Sequence, residues 1–282
     1  MRHPLRATIL TGFTLTWLVS VPTPLAGQQP AAAGLPALTD EQIEQFLLAA
    51  RVERVRGVNT GVTNSQRATL TDGQITHDAH IQTIDVSKLV FTGSRGTELN
   101  FRDSYLFNLA GYRLARLLGL DNVPPSVERS HGGKSASFTW WVDDVVMDEG
   151  ARRKKKADGP DPSRTAMQIH IMRVFDALIH NTDRNAGNLL WTSEWKMWMI
   201  DHTRAFRLDK RLLLSQYLER CERSLFENMK GLTAPQLKSV VGDSLRNAEI
   251  DALLARRDLI IKLLEDKIAK KGETAVLYDF DD

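Results

Sequence analysis

The apolar positions of this chain keep two different periods, and the change between them divides it into regions. Ile43, Phe46, Leu47 and Ala50 share one face of a helix that Thr39 begins, with Gln42 three residues later completing a capping box. From Val52 to Asp85 the period shortens. It predicts strands at 68–70 and 79–84 about the turn Thr71-Asp72-Gly73, and a flexible loop over 56–63. Helical spacing returns after a cap at Asn100 or Asp103. Tyr105, Leu106, Leu109, Ala110, Leu114, Leu117 and Leu118 point inward, and Gly119 with Leu120 closes the helix. Residues 124–129 and 134–142 read as two more strands. The remainder is mostly helical, over 163–180, 210–229, 235–241 and 247–271, interrupted by a hairpin at 189–200 that turns at Ser193-Glu194. Three to five strands with one helix thus precede a helical half, an α+β arrangement.

A leader stands ahead of these elements. Arg2 and Arg6 carry its charge, residues 9–21 its apolar core, and Pro24-Leu25-Ala26-Gly27 a small-residue cleavage zone. The apolar run is short for a bilayer and no stop-transfer segment follows, so the expected product is exported, periplasmic or extracellular. No stable membrane span is expected once the leader is removed; an uncleaved anchor is the alternative. Residues 28–38, rich in Pro and Ala, read as a linker.

Composition narrows the function classes. With 282 residues, 42% of them hydrophobic, the chain can bury a full core. The net charge of +2 belongs to the leader, which holds two of the 37 basic residues and no acid, so the rest balances at 35 against 35. Bulk charge gives no support to nucleic-acid or membrane binding. The single cysteine, Cys221, has no internal partner and no neighbouring His, so it is expected to be inert. Residues 143–164 are charge-dense, with Gly150, Gly159, Pro160 and Pro162, and read as a loop. Their basic run, Arg152 to Lys156, fits a solvated face balanced by Asp143, Asp144, Asp148 and Glu149 better than an anion-binding patch.

The candidate chemistry lies at His180-Asn181-Thr182-Asp183-Arg184-Asn185-Ala186-Gly187-Asn188, followed by Ile200-Asp201-His202-Thr203. Asp183 leaves a long apolar helix and can accept a proton from, or align, an attacking hydroxyl. Asn188 offers a neutral carbonyl oxygen and Asp201 a carboxylate, donors that suit a hard divalent cation such as magnesium. The intervening hairpin returns Asn188 and Asp201 to one edge. The plainer reading is an ordinary turn whose Asp and Asn satisfy their own backbone. The agreement of apolar helix, interval, hairpin and terminal Ile-Asp favours the metal loop.

These residues resemble the atypical kinase superfamily: phosphatidylinositol 3/4-kinase-like enzymes, HipA-type kinases, and the CotH and secretory-pathway kinases. Asn181-Thr182-Asp183-Arg184 with Ile200-Asp201 is locally most similar to type II phosphatidylinositol 4-kinases. The resemblance is specific over 174–206, looser over 57–142, and fades after Leu208. It implies a two-lobed protein-kinase-like fold, with a small β-rich N-lobe carrying one main helix and a mostly helical C-lobe. The divisions are 1–27 signal peptide, 28–51 linker and N-terminal helix, 52–145 N-lobe, 146–164 inter-lobe loop, 165–272 C-lobe and 273–282 acidic tail. It implies Mg2+ (or Mn2+) and ATP as cofactors, Asp183 as catalytic aspartate, and Asn188 and Asp201 as metal ligands. Gly57 and Gly61 would belong to the nucleotide-covering loop.

The pattern departs from the family at one point. Gln82 falls where a strand lysine would hold the phosphates, and Asn108 where its glutamate partner would stand. A Gln–Asn hydrogen bond is expected to replace that ion pair, with Lys88, Arg67 or Lys134 as other sources of a cation. Three functions follow as expectations: a phosphotransferase (or nucleotidyl transferase) acting on a protein, lipid or small-molecule hydroxyl; an inactive pseudokinase that binds ligands or proteins; and a metal-assisted phosphoester hydrolase. A transition-metal site at His77, His80, His202 and Asp78 is disfavoured, because His77 and His80 fall on opposite strand faces. Trp140, Trp141, Trp191, Trp195 and Trp198 are assigned to packing.

Overall fold

The capping box at Thr39 forms: Gln42 N–H donates to the Thr39 hydroxyl (3.3 Å) and Thr39 N–H to the Gln42 side-chain oxygen (2.9 Å), starting helix α1 (Asp40–Ala49). The computed structural model describes residues 38–58, 65–93 and 96–280, so the expected leader and Gly61 lie outside the described residues. After α1 come β1 (Arg51–Gly57), β2 (Gln66–Thr71), β3 (Thr76–Gln82), β4 (Asp85–Gly93), β5 (Gly96–Ser104), α2 (Leu106–Leu117), β6 (Ser126–His131) and β7 (Lys134–Trp140). Five of these strands make one antiparallel sheet in the order β1-β2-β3-β7-β6. Helix α1 lies on β6 and β7. Its Phe46, Leu47 and Ala50 join Ala68, Leu70, Ala79, Ile81, Val127, Ala136 and Phe138 in one core. Each large apolar side chain buried there contributes roughly 1.5–3 kcal/mol.

The β4–β5 hairpin, whose strands pair only with each other, has no counterpart in the sequence reading. Its Leu89, Val90 and Leu99 are exposed, so it lacks the one-sided burial that makes a strand legible. The helix placed after it starts at Leu106 rather than at a cap on Asn100 or Asp103, both of which lie in β5. Its end matches the expected signal. Gly119 is left-handed (φ +78°), Leu120 N–H donates to Ala115 (2.8 Å) and Gly119 N–H to Arg116 (3.0 Å), a Schellman closure.

The second half holds β8 (Val145–Asp148), α3 (Glu149–Lys155), α4 (Pro162–Ile179), β9 (Leu189–Thr192), β10 (Met197–Met199), β11 (Cys221–Glu222), α5 (Arg223–Gly231), α6 (Ala234–Val241), α7 (Asn247–Lys271), α8 (Glu273–Val276) and β12 (Leu277–Tyr278). Strands β8, β9 and β10 form a small sheet below the cleft described next, and the helices share a large core with the buried face of α2. Among the described residues no helix is long and apolar enough to cross a membrane.

Three expectations are corrected here. The charged stretch 146–164 is not a plain loop: it contains β8, α3 and the start of α4. Arg152 and Arg153 both pair with the buried carboxylate of Glu149 (2.6 and 2.7 Å), which also accepts from the Trp191 indole N–H (2.8 Å), so two of the five basic residues have structural partners. The long helix expected over 210–229 is only α5. Ahead of it Leu214 is left-handed (φ +48°), which interrupts a helical ladder, and Cys221–Glu222 pair with Leu277–Tyr278 as strand β11. The acidic end 279–282, read from its charge as disordered, is placed as far as Phe280: β12 pairs in parallel with β11, and Asp279 accepts from Arg223 (2.8 Å).

Candidate functional site

Helix α4 ends at His180, whose left-handed conformation (φ +50°) turns the chain out of the helix. Asn181 N–H returns to the Asp176 carbonyl (2.9 Å), and the Asn181 side-chain oxygen accepts from Asp183 N–H (3.1 Å). This local pattern aims Asp183 into a cleft of about 510 Å³. Asn188, closing a 3-10 turn before β9, and Asp201, just beyond β10, line the same cleft. The structure therefore brings together the three residues singled out from sequence. Asp201 is itself left-handed (φ +55°), a sparsely populated conformation that concentrates at functional sites, and its carboxylate accepts from the Thr203 hydroxyl (3.1 Å).

One arginine fixes the backbone of this constellation. Arg184 donates to both oxygens of Asp176 (2.9 and 3.0 Å), to the carbonyls of Asn188 (3.0 Å) and Ile200 (2.7 Å), and to His202 Nε2 (3.0 Å). An arginine cannot accept, so Nε2 of His202 is unprotonated and the ring is neutral. Burial, then the adjacent Arg184 charge, hold the His202 pKa well below its ordinary value. Helix α2 presses on the same ring. A Cβ built on Gly111 would sit 3.1 Å from His202 Cγ, and the Asn108 side-chain oxygen accepts from His202 N–H (2.9 Å).

Asn108 lines the cleft as expected, but its amide does not stand in for the ion pair as the sequence suggested. Its oxygen serves His202 and its nitrogen donates to Ser137 (3.2 Å), the residue that faces Gln82 across β3–β7. Gln82 is fully buried outside the cleft lining, donating to Ser65 (3.2 Å) while its oxygen accepts from Thr83 N–H (3.1 Å). Gly57 ends β1 outside the lining, which Val58 and Ser65 reach from either end of that loop. The strand residue that faces the cleft is His80. Burial lowers its pKa, and the charge of Asp201 partly opposes that.

The alternative cations do not reach the cleft either. Arg67 is bonded to Asp78 (2.5 Å) and lies 4.0 Å over the Trp141 ring, Lys88 lies over Phe91, and Lys134 stands at the start of β7. The disfavoured histidine cluster is dispersed. His77 stacks on Trp140 with ring centroids 3.4 Å apart and meets Asp143 (2.8 Å), on the other side of β3 from His80. Among the described residues no three His, Cys, Asp or Glu side chains form a group able to hold a metal by themselves. A donor set of two carboxylates and one carboxamide instead fits a hard cation that keeps waters and takes further oxygens from a bound phosphate.

Four cleft features escaped the sequence reading. Arg204 lines it from the segment after Asp201, its Nε donating to Asp103 at the end of β5 (2.7 Å) and its Nη1 3.8 Å from Asp183. Asp148 lines the cleft while capping α3 through Ala151 N–H (2.7 Å). Trp140 and Trp141, assigned to packing, form part of the wall, and His202 serves as the contact between α2 and the segment of Asp201. A cation three residues after the Asp201 carboxylate was the available signal for Arg204.

A five-stranded antiparallel sheet above a mostly helical body, with this loop pair in the cleft, defines a kinase-like fold. Solved structures place it among atypical, secretory-pathway-kinase-like folds. Hydra Fam20 with sugar is similar at a TM-score of 0.65 and 14% identity, covering 85% of this chain and 92% of that one. The Golgi casein kinase with Mn/ADP bound gives 0.59 and 14%, covering 85% and 79%. The Helicobacter pylori proinflammatory kinase CtkA gives 0.51 and 9%, covering 80% and 99%. Identities this low establish the fold alone. No family model matches the chain, and no curated protein matches it by sequence.

Proposed function

We propose that this chain is an exported, divergent member of the atypical kinase superfamily sketched by its sequence resemblance, binding ATP with Mg2+ or Mn2+ and passing a phosphoryl group to a hydroxyl acceptor. The observation that carries this reading is the convergence of Asp183, Asn188 and Asp201 on one cleft, with Arg184 tying both halves of the constellation together. Asp183 would orient the acceptor hydroxyl and take its proton; Asn188 and Asp201 would hold the metal, which supplies charge neutralisation for the phosphates. The Mn and ADP in the Golgi casein kinase structure support the cofactor pair. The acceptor is a protein, lipid or small molecule; the sugar in the hydra Fam20 structure makes a carbohydrate hydroxyl the first candidate to assay. Export rests on the leader of residues 1–27.

A second reading, a pseudokinase that keeps the cleft as a binding module, is favoured by one observation: β3 presents His80 to the cleft and buries a neutral Gln82, and among the described residues lining the cleft there is no lysine. The test is thermal unfolding of the mature protein with ATP and Mg2+ or Mn2+, beside Asp201→Ala. A metal-dependent rise in Tm that disappears in the variant supports nucleotide binding, and no shift with any nucleotide refutes both the kinase and the nucleotide-binding pseudokinase. Label transfer from γ-phosphate-labelled ATP then separates enzyme from pseudokinase, and α-phosphate label identifies nucleotidyl transfer.

A further inference from the structure

We infer that Arg204 receives the terminal phosphate of the nucleotide, supplying from below the cleft the cation that β3 lacks; this rests on the nucleotide-binding reading above. Among the described residues lining the cleft, Arg204 is the one lysine or arginine. Its position is set by its neighbours. Asp103, at the end of β5, is buried, and one of its oxygens accepts from Arg204 Nε (2.7 Å). The other, Oδ1, is buried with no hydrogen-bond partner among the described residues, so this carboxylate is committed to holding the guanidinium. The ring of Phe101, on β5, lies 5.8 Å from the guanidinium, and the Arg204 carbonyl accepts from the Thr182 hydroxyl (3.4 Å), which tethers the residue to the loop before Asp183.

The far end of the guanidinium faces the reacting region. Nη1 stands 3.8 Å from Asp183 Oδ2, beyond a hydrogen bond but within Coulombic reach. Burial disfavours the charge, yet the Asp103 bond and the carboxylates of Asp103, Asp183 and Asp201 outweigh it, so the group stays fully cationic. Nη1 therefore faces the proposed base, and the charge of the proposed metal ligand Asp201 is felt at the guanidinium as well. A planar fork there binds a phosphoryl group through paired N–H donors, where a strand lysine would offer a point charge. The three carboxylates lining the cleft, Asp148, Asp183 and Asp201, leave one arginine outnumbered. A polyphosphate thus needs the divalent metal as well as Arg204, and the arginine's share falls on the phosphate nearest Asp183, the one ATP has and ADP lacks.

Titration calorimetry of the mature protein with Mn-ATP and Mn-ADP tests this, using wild type, Arg204→Gln and Arg204→Lys. The double variant Arg204→Gln/Asp103→Asn removes the buried partner charge together with its cation and guards against misfolding. Losing a charge-assisted phosphate contact is expected to weaken ATP about tenfold to a hundredfold in Arg204→Gln and in the double variant, with ADP changed by less than about threefold. Arg204→Lys is expected to lose several-fold on ATP. Wild type binding neither nucleotide overturns the nucleotide reading, and this inference with it. Wild-type binding of both, with unchanged ATP affinity in the variants or equal losses for ATP and ADP, overturns the assignment of Arg204 alone.

Discussion

Replacing Arg184 with methionine removes the tie that joins the loop of Asp183 to the strand of Asp201. Its side chain and that of Asp176 are only 8% and 11% exposed, so this is a buried ion pair, and removal of one partner strands the other. Broken buried pairs typically cost about 3–5 kcal/mol, and here the carbonyls of Asn188 and Ile200 lose a donor too. For a domain of this size each kcal/mol is worth roughly 2–4 °C, so Arg184→Met is expected to lower Tm by roughly 6–20 °C. Denaturant unfolding of Arg184→Met, Asp176→Asn and the double variant isolates the pairwise part. If the stranded Asp176 charge dominates, the double variant is more stable than the sum of the singles by about 1–3 kcal/mol. A loss below about 1 kcal/mol in Arg184→Met, or additivity within about 0.5 kcal/mol, refutes the buried-tie account.

Three other outcomes are expected. Gly111→Ala should destabilise despite alanine's better helix propensity of about 1 kcal/mol, because its Cβ would press on a His202 ring held by Arg184 and Asn108; a Tm equal to or above wild type would contradict this. Burial, and then the Arg256 charge, push the His180 pKa down to about 4 from 6.5, so the unfolded chain binds the extra proton first. Stability should then fall as pH drops from 6.5 to 4, by an amount on the order of 2 kcal/mol, and His180→Asn, which tolerates the left-handed backbone, should flatten that slope in pH-dependent urea melts. Cys221 is fully buried and burial raises its thiol pKa, so a thiol reagent should leave the native protein unmodified and react only on unfolding.

What was legible in the sequence is what local chemistry fixes. Thr39 with Gln42, Gly119 with Leu120, and the apolar spacing of α4 and α7 each carry their signal within a few residues, and each forms as read. So does the hairpin that returns Asp201 toward Asn188, because two short apolar segments, Leu189–Thr192 and Met197–Met199, flank the polar turn at Ser193-Glu194. What was hidden depends on distant partners. The segment 210–222 reads as helix, but Cys221–Glu222 pair instead with Leu277–Tyr278, more than fifty positions later. The β4–β5 hairpin leaves Leu89, Val90 and Leu99 exposed, and its buried residues are consecutive at the end of β5 rather than alternating along one face. Arg204 acquires its meaning only when Asp103, a hundred positions earlier, comes alongside it.

Strand β3 contains no lysine and helix α2 no glutamate, yet α2 is coupled to the segment of Asp201. In an ion-paired design, a salt bridge reports whether α2 is in place. Here Asn108 receives His202 N–H directly, and Gly111 lets the ring approach the helix backbone, so α2 touches the residue next to Asp201. The same His202 ring accepts from Arg184, which holds Asn188 and Ile200. Helix, metal strand and the Asp183 loop are therefore joined by one neutral ring and one arginine, all buried, with no charge at the helix end of the chain of contacts. A neutral link of this kind costs less to desolvate than a buried pair. It also frees the cleft's positive charge to come from elsewhere, and Arg204 stands where that charge faces Asp183. Arg204 and the Asn108–His202 contact are thus two parts of one rearrangement. On the proposed nucleotide-binding reading, the first would supply a phosphate-facing charge, while the second couples α2 to the segment of Asp201. Asn108→Ala should accordingly loosen α2 and weaken metal binding without altering the preference for ATP over ADP, whereas Arg204→Gln should do the reverse.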